Sequence, residues 1–261
     1  MMNVRVIFLR LSFLLLAPTP LFCCAQQDST DHKGQEKSES RIQSFQLRPV
    51  AFIAPAVLVG YGAFAGGNNF INDLDRTTRA ELQEDHPLFS SKMDNFMQYA
   101  PAAAVYALHL AGVKGRHGTL DATGAYLVSF AIMKASTECM KSATQRLRPD
   151  GSTRNSFPSG HTATSFTSAE FLMQEYKDVS PWIGYGGYAV AITTGVFRLY
   201  NNRHWVSDVV AGAGFGIASA KLGYFFYPKL KRLIAGRHAA HMNFVPVYQQ
   251  GAAGFSFSGQ F

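Results

Sequence analysis

Charged side chains are absent from three long stretches of this chain, residues 49–72, 95–113 and 179–197. Each is too long for a typical strand and suits a helix crossing a bilayer, which takes about 20 residues. Three further segments are less clean. Residues 122–133 and 209–220 are uncharged but then meet Lys134 and Lys221, and 161–176 is rich in Thr and Ser and contains Glu170. Apolar runs of this kind also form buried core helices. The pattern predicts an all-α fold, a bundle of about six apolar helices, membrane-embedded, within residues 49–238.

The flanks have a different character. In residues 1–25, Arg5 and Arg10 precede or border the apolar run 11–17, and the small residues Cys23 and Ala25 follow. That order reads as a secretory signal peptide, with an uncleaved anchor as the other reading. Residues 26–48 are polar and charge-balanced and read as a linker. The tail 239–261 alternates apolar and polar residues and reads as a short β-like segment.

Loop charge suggests sidedness. Loop 113–118 holds Lys114 and Arg116 and no acid, and 228–238 is likewise basic, whereas 67–95 is acidic on balance. The positive-inside rule puts the first two in the cytoplasm and places 67–95, 140–160 and 198–208 outside. Six spans then require the linker inside, but a cleaved signal puts it outside. Either 49–66 is interfacial or re-entrant, or the chain is a soluble helical domain.

Composition narrows the classes. Hydrophobic residues are 47% and charged residues 16% of the chain, against roughly 25% charged in ordinary soluble domains. A disordered chain or a coiled coil would need more charge. Mean hydropathy is −0.01, between membrane and soluble values. The net charge of +7 comes with no helix-turn-helix, no zinc spacing and no basic stripe interleaved with aromatics, so nucleic acid is not the expected partner. Basic residues cluster instead at 141–154 and 229–238, as suits a phosphate pocket or an anionic membrane surface. Of three cysteines, Cys139 reads as a small buried apolar residue. His32, His86, His109, His117, His238 and His241 lack chemical neighbours and read as surface or packing residues.

Three blocks carry candidate chemistry. In Lys141-Ser-Ala-Thr-Gln-Arg-Leu-Arg148-Pro149, the two cations are seven residues apart. On a helix that Pro149 ends, they share a face and form an anion clamp; a solvated basic face is the plainer reading. In Pro158-Ser159-Gly160-His161, a helix start offers free N–H groups, Gly160 admits an anion, Ser159 adds a hydroxyl, and His161 stands as a general acid. Simple N-capping with an incidental histidine is the alternative. In the block from Arg198 to Asp208, His204 and Asp208 are i and i+4, so the carboxylate can take one imidazole hydrogen and leave the other nitrogen free. Arg198 adds a third cation. A surface pair is the alternative here. No carboxylate cluster has the look of a magnesium site, so no metal or other cofactor is expected.

Together, Lys-x6-Arg-Pro, Pro-Ser-Gly-His and Arg-x5-His-x3-Asp resemble, in that order, the signature of the type 2 phosphatidic acid phosphatase (PAP2) superfamily. The match is sharp over 141–208 and extends by helix pattern over about 50–227. One position departs from it: Phe197 stands where the family usually has Ser, removing a hydroxyl near the phosphate. The resemblance implies a metal-independent phosphatase. His204 would attack phosphorus to give a phosphohistidine, Asp208 would orient it, and His161 would protonate the leaving oxygen. Lys141, Arg148, Arg198, Ser159 and Gly160 would hold the phosphate. The implied substrate is a lipid phosphate (lipid A phosphate, undecaprenyl pyrophosphate or a phospholipid phosphate), handled on the periplasmic face of the inner membrane. A soluble periplasmic acid phosphatase, a vanadate-dependent haloperoxidase and a non-catalytic envelope protein are the competing readings; the periplasm or outer membrane is the competing location.

Overall fold

The computed structural model describes residues 49–235, 243–249 and 252–258. The leader 1–25, the linker 26–48, His32, His238 and His241 lie outside the described residues. A 3₁₀ turn at Pro49–Phe52 leads into α1 (Ile53–Phe64); then follow α2 (Phe70–Asp85), α3 (Asp94–Met97), α4 (Ala100–Leu110), α5 (Thr119–Thr144), α6 (Gly160–Tyr176), α7 (Pro181–Tyr200) and α8 (Val206–Ala235). The fold is an all-α bundle, and the six apolar segments correspond to α1, α4, α5, α6, α7 and α8. In the tail, β1 (Asn243–Gln249) and β2 (Ala252–Ser258) pair antiparallel, with Asn243 opposite Ser258 and Gln249 opposite Ala252.

Helix α6 is the axis of the bundle. It packs on α7, α8, α4 and α5, and α8 packs on α5 and α1 as well. Its hydroxyl-rich sequence, unpromising as apolar core, is nonetheless buried over 14 of its 17 residues. The hydroxyls bond within the helix: Thr167 Oγ1 donates to the Ala163 carbonyl at 2.8 Å and Ser168 Oγ to Thr164 at 2.9 Å, so burial leaves no unsatisfied donor. Close approach needs small residues opposite. A Cβ on Gly216 of α8 would stand 2.5 Å from the Ala163 carbonyl oxygen, which excludes any side chain there.

Several expectations are corrected. The uncharged run 49–72 breaks after α1, and 95–113 yields the short α4, because Gly66-Gly67 and Pro101 interrupt or start helices there. Among the described residues, the helix long and apolar enough to cross a membrane is instead α8, over Val206–Ile234. Loop 67–95 contains a 16-residue helix, α2, capped by Asn69, whose side chain accepts from the Asn72 N–H at 3.0 Å; its amphipathic pattern was hidden by its charge. Cys139 is exposed rather than buried, as it lies on the outward face of α5.

The bundle has two distinct ends. At one, α2, α3 and the loops 145–159 and 201–205 meet, joined by Asn201 with Ser91 and Arg79 with Asn202. At the other, Asp121 at the start of α5 accepts from Lys231 at 2.5 Å and Tyr227 at 2.7 Å on α8, and the Arg116 N–H donates to the Glu175 carbonyl. These are the same two groups of loops that the charge pattern separates. Between the ends, large apolar side chains such as Val57, Leu127 and Ile192 are more than half exposed.

Candidate active site

The three blocks arrive at one end of the bundle from α5, α6, α7 and α8. Helix α5 stops at Thr144 because Gln145 takes a left-handed conformation, φ 43°. Arg148 is therefore not on the helix, and the expected two-turn clamp with Lys141 does not exist. The chain turns back instead, with the Arg148 N–H donating to the Thr153 carbonyl at 3.0 Å. Arg148 still reaches the site, by way of a loop.

Ser159 caps α6: its Oγ accepts from the Thr162 N–H at 3.4 Å and from the Thr162 hydroxyl at 2.9 Å. It is fully buried, so its first duty is capping. A Cβ on Gly160 would stand 3.3 Å from Lys141 Nζ, which puts the ammonium directly over the start of the helix, where free N–H groups favour an anion. Lys141 is also bonded to Glu138 at 3.1 Å, a carboxylate about half exposed and hence a weak partner.

His204 is 4% exposed. Its Nδ1 donates to the Ser156 carbonyl at 2.8 Å, which fixes the tautomer and leaves the Nε2 lone pair for a substrate. Asp208 Oδ2 lies 3.7 Å from Nδ1, too far for a hydrogen bond. The expected direct His204–Asp208 bond is thus corrected: the carboxylate acts on the ring through charge. Asp208 accepts instead from Ser156 Oγ at 2.5 Å, the Trp205 N–H at 3.0 Å and Arg146 at 2.8 Å. Burial, with the charges of Arg198 and Arg148, holds the His204 imidazole below its ordinary 6.5, and Asp208 opposes the shift.

His161 donates from Nε2 to Asn95 Oδ1, 2.8 Å away. Burial and the Arg198 charge lower it to about 4, with His204 and Lys141 acting in the same direction and Asp94 opposing. Arg198 is 7% exposed and its Nη1 bonds Asp94 Oδ2 at 2.6 Å. Arg148 makes no ion pair among the described residues. The Nε–H groups of Arg148 and Arg198 are both buried without a partner, and burial together with the Arg198 charge disfavours the charged form of Arg148. A shared anion would satisfy both donors and relieve the repulsion.

Sequence reasoning missed the supports of this cup. Arg146 spans two buried carboxylates, with Nη1 on Asp208 and Nη2 on Asp75 at 2.7 Å. Asp75 also accepts from the Ser207 N–H at 2.9 Å. Asp94 and Asn95 come from α3. Arg146 was visible in the first block, but which arginine faces inward is not a property of spacing. Asp75 and Asp94 lay in a segment read only as a charged loop. Phe197 stacks on Phe89 at 5.9 Å, so the missing hydroxyl is replaced by an aromatic contact with the chain before α3. Among the described residues no group of His, Cys, Asp and Glu has the geometry to hold a metal ion.

Fold and site together define a helical-bundle protein with a cationic, histidine-bearing anion cup at one end. Residues 122–232 match the model of the PAP2 superfamily. Over 141 residues, 52% of this chain, it is 44% identical to a protein of Porphyromonas gingivalis described as lipid A 1-phosphatase. Over 76 residues it is 36% identical to the bacitracin transport permease protein BcrC of Bacillus licheniformis. The chain spans about a third of the length of these relatives, 31% and 36%. Two crystal structures are similar at 20% identity. A transmembrane PAP2-type phosphatidylglycerolphosphate phosphatase from Bacillus subtilis has a TM-score of 0.47 over 72% of this chain and 99% of its own. Aquifex aeolicus LpxE has 0.41 over 55% and 92%.

Proposed function

We propose that the protein is a membrane-embedded phosphatase that removes phosphate from a lipid, with lipid A phosphate the favoured substrate. The observation that carries this is the pair of buried, unpartnered guanidinium Nε–H groups on Arg148 and Arg198 beside the buried His204. The relative described as lipid A 1-phosphatase supports the substrate. So does α3, which brings Asp94 and Asn95 to the cup while exposing Phe96 (79%) and Met93 (59%), an apolar lip suited to acyl chains. The exposed apolar flank of the bundle supports a lipid surround. The cup stands at the end of the bundle that carries α2 and α3, and the basic loops of the other end support a periplasmic position for it.

In this mechanism His204 Nε2 attacks phosphorus as the bond to the leaving oxygen breaks, and His161 gives that oxygen its proton. Water then attacks the phosphohistidine, His161 takes its proton, and the N–P bond breaks to release phosphate. Lys141, Arg148, Arg198 and the N–H groups at Gly160 hold the equatorial oxygens, supplying the charge stabilisation on which such transfers depend. The bound dianion is also the counter-charge that returns a proton to His161.

Phosphate release by the full chain in detergent, with EDTA present, tests this. Lipid A phosphate is expected to turn over faster than undecaprenyl pyrophosphate, phosphatidic acid or a soluble phosphomonoester; no release from any of them sinks the proposal. Carbonate extraction tests the membrane reading separately: the protein is expected to stay in the pellet. A pH profile reports on His204, which must be neutral to attack. Since its folded value is lowered, the acid limb of kcat/KM is expected below pH 6.5. Arg148→Met removes one cause of the lowering and should move that limb upward; a limb above 6.5 in the unaltered protein contradicts the assignment.

A further inference from the structure

At the end of the bundle opposite the cup, a cavity of about 470 Å³ is lined by His109, Lys114, Arg116, His117 and Thr119 with the glycines between them. Both ring nitrogens of His109 are buried there without a partner. The cavity lies at the start of α5, whose N-cap is Gly118 with no side-chain cap, so the first N–H groups of a 26-residue helix are left to a ligand. Glu175, beside the cavity, accepts from the His117 N–H and Nδ1, both at 2.9 Å, and from Tyr224 at 2.5 Å, so both of its oxygens are engaged. Apolar residues flank this polar spot. Leu110, at the end of α4, is 90% exposed and Leu120, on the first turn of α5, is 61% exposed.

Basic side chains, an uncapped helix start and an unsatisfied imidazole select an anion with several acceptor oxygens. Apolar side chains on both flanks select one that carries hydrocarbon. We propose that this cavity binds the phosphate group of an anionic phospholipid, as a site separate from the cup at the other end. It rests on the membrane-embedded reading, which carbonate extraction tests independently. The lipid is not consumed there, because His204 and His161 are at the opposite end of α6 and its neighbours. Its effect is to seat the basic end of the bundle in the leaflet facing away from the cup.

Native mass spectrometry of the full chain, released from micelles and titrated with dioctanoyl phosphatidylglycerol, tests the site. Phosphatidylcholine of the same chain length and inorganic phosphate serve as parallel probes. Thr119→Glu is the decisive variant. A carboxylate at the first helical position favours the helix yet repels an anion, so folding and anion binding move in opposite directions. Phosphatidylglycerol binding is expected to weaken about fivefold in Thr119→Glu and in Lys114→Glu, with the melting temperature of Thr119→Glu no lower than the parent's and turnover of a soluble phosphomonoester unchanged in both. Arg148→Gln, in the cup, should leave that binding intact. Unchanged binding in Thr119→Glu, equal binding of phosphatidylcholine, or loss only in Arg148→Gln overturns the proposal. Binding of inorganic phosphate in place of the lipid overturns the lipid as the source of the anion.

Discussion

His204→Ala is expected to lower phosphate release by about 10⁴-fold or more while the protein remains folded. In the proposed mechanism this imidazole is the nucleophile, and the other imidazole at the cup, His161, has its Nε2 engaged by Asn95 Oδ1 at 2.8 Å. Arg148, Arg198 and Lys141 can still bind phosphate in the variant, so KM should change far less than kcat. The structural cost is one hydrogen bond, from Nδ1 to the Ser156 carbonyl at 2.8 Å, about 1 kcal/mol, plus a small void. His204→Asn is the companion variant: its amide can donate to the same carbonyl, so it should be as inactive but more stable than His204→Ala. Rapid quenching of the unaltered protein with a radiolabelled substrate should trap an acid-labile, base-stable phosphoprotein, absent from both variants. Near-normal turnover in either variant would remove the nucleophile from the proposal.

Arg146→Ala should be the most destabilising change at the site. Asp75 and Asp208 are 2% and 0% exposed, and Arg146 bridges them at 2.7 and 2.8 Å. Removing the guanidinium leaves two buried carboxylates facing a lost cation, which costs about 3–5 kcal/mol. Asp75→Asn/Arg146→Met is the informative double variant. It removes one charge of each sign, so much of the single variant's loss should be recovered, as the two sites are directly coupled. Activity should not recover in step with stability, because Asp208 would still lack its brace. A denaturant series on both variants, with kcat measured alongside, checks this; a single variant as stable as the parent would show that the bridge carries little weight.

These two residues mark how far the chain could be read without its fold. His204 was legible because its chemistry is local: a histidine four positions before an aspartate, ahead of an apolar run. Even there the local geometry misled, since the expected bond to Asp208 is 3.7 Å long and the backbone of Ser156 takes its place. Arg146 was not legible, because its partner Asp75 is 71 positions away. Lys141 and Arg148 fall between. Both belong to the cup, but a left-handed residue at 145, not the periodicity of a helix, brings the second one in. His117 shows the same limit at the far end, where it pairs with buried Glu175 after being read as a residue without chemical neighbours.

Periodicity and the absence of charge were enough to establish six helices, because helix formation and the apolar matching of neighbours depend on short-range sequence. The order of the three blocks was enough to suggest phosphate chemistry. Tertiary structure alone decided which end of the bundle holds the cup, which cations stay free of carboxylates, and that α2 and α3 supply Asp75, Asp94 and Asn95 to it. The reason is physical: electrostatic pairing acts between side chains adjacent in space, and the bundle makes neighbours of residues that the chain keeps far apart.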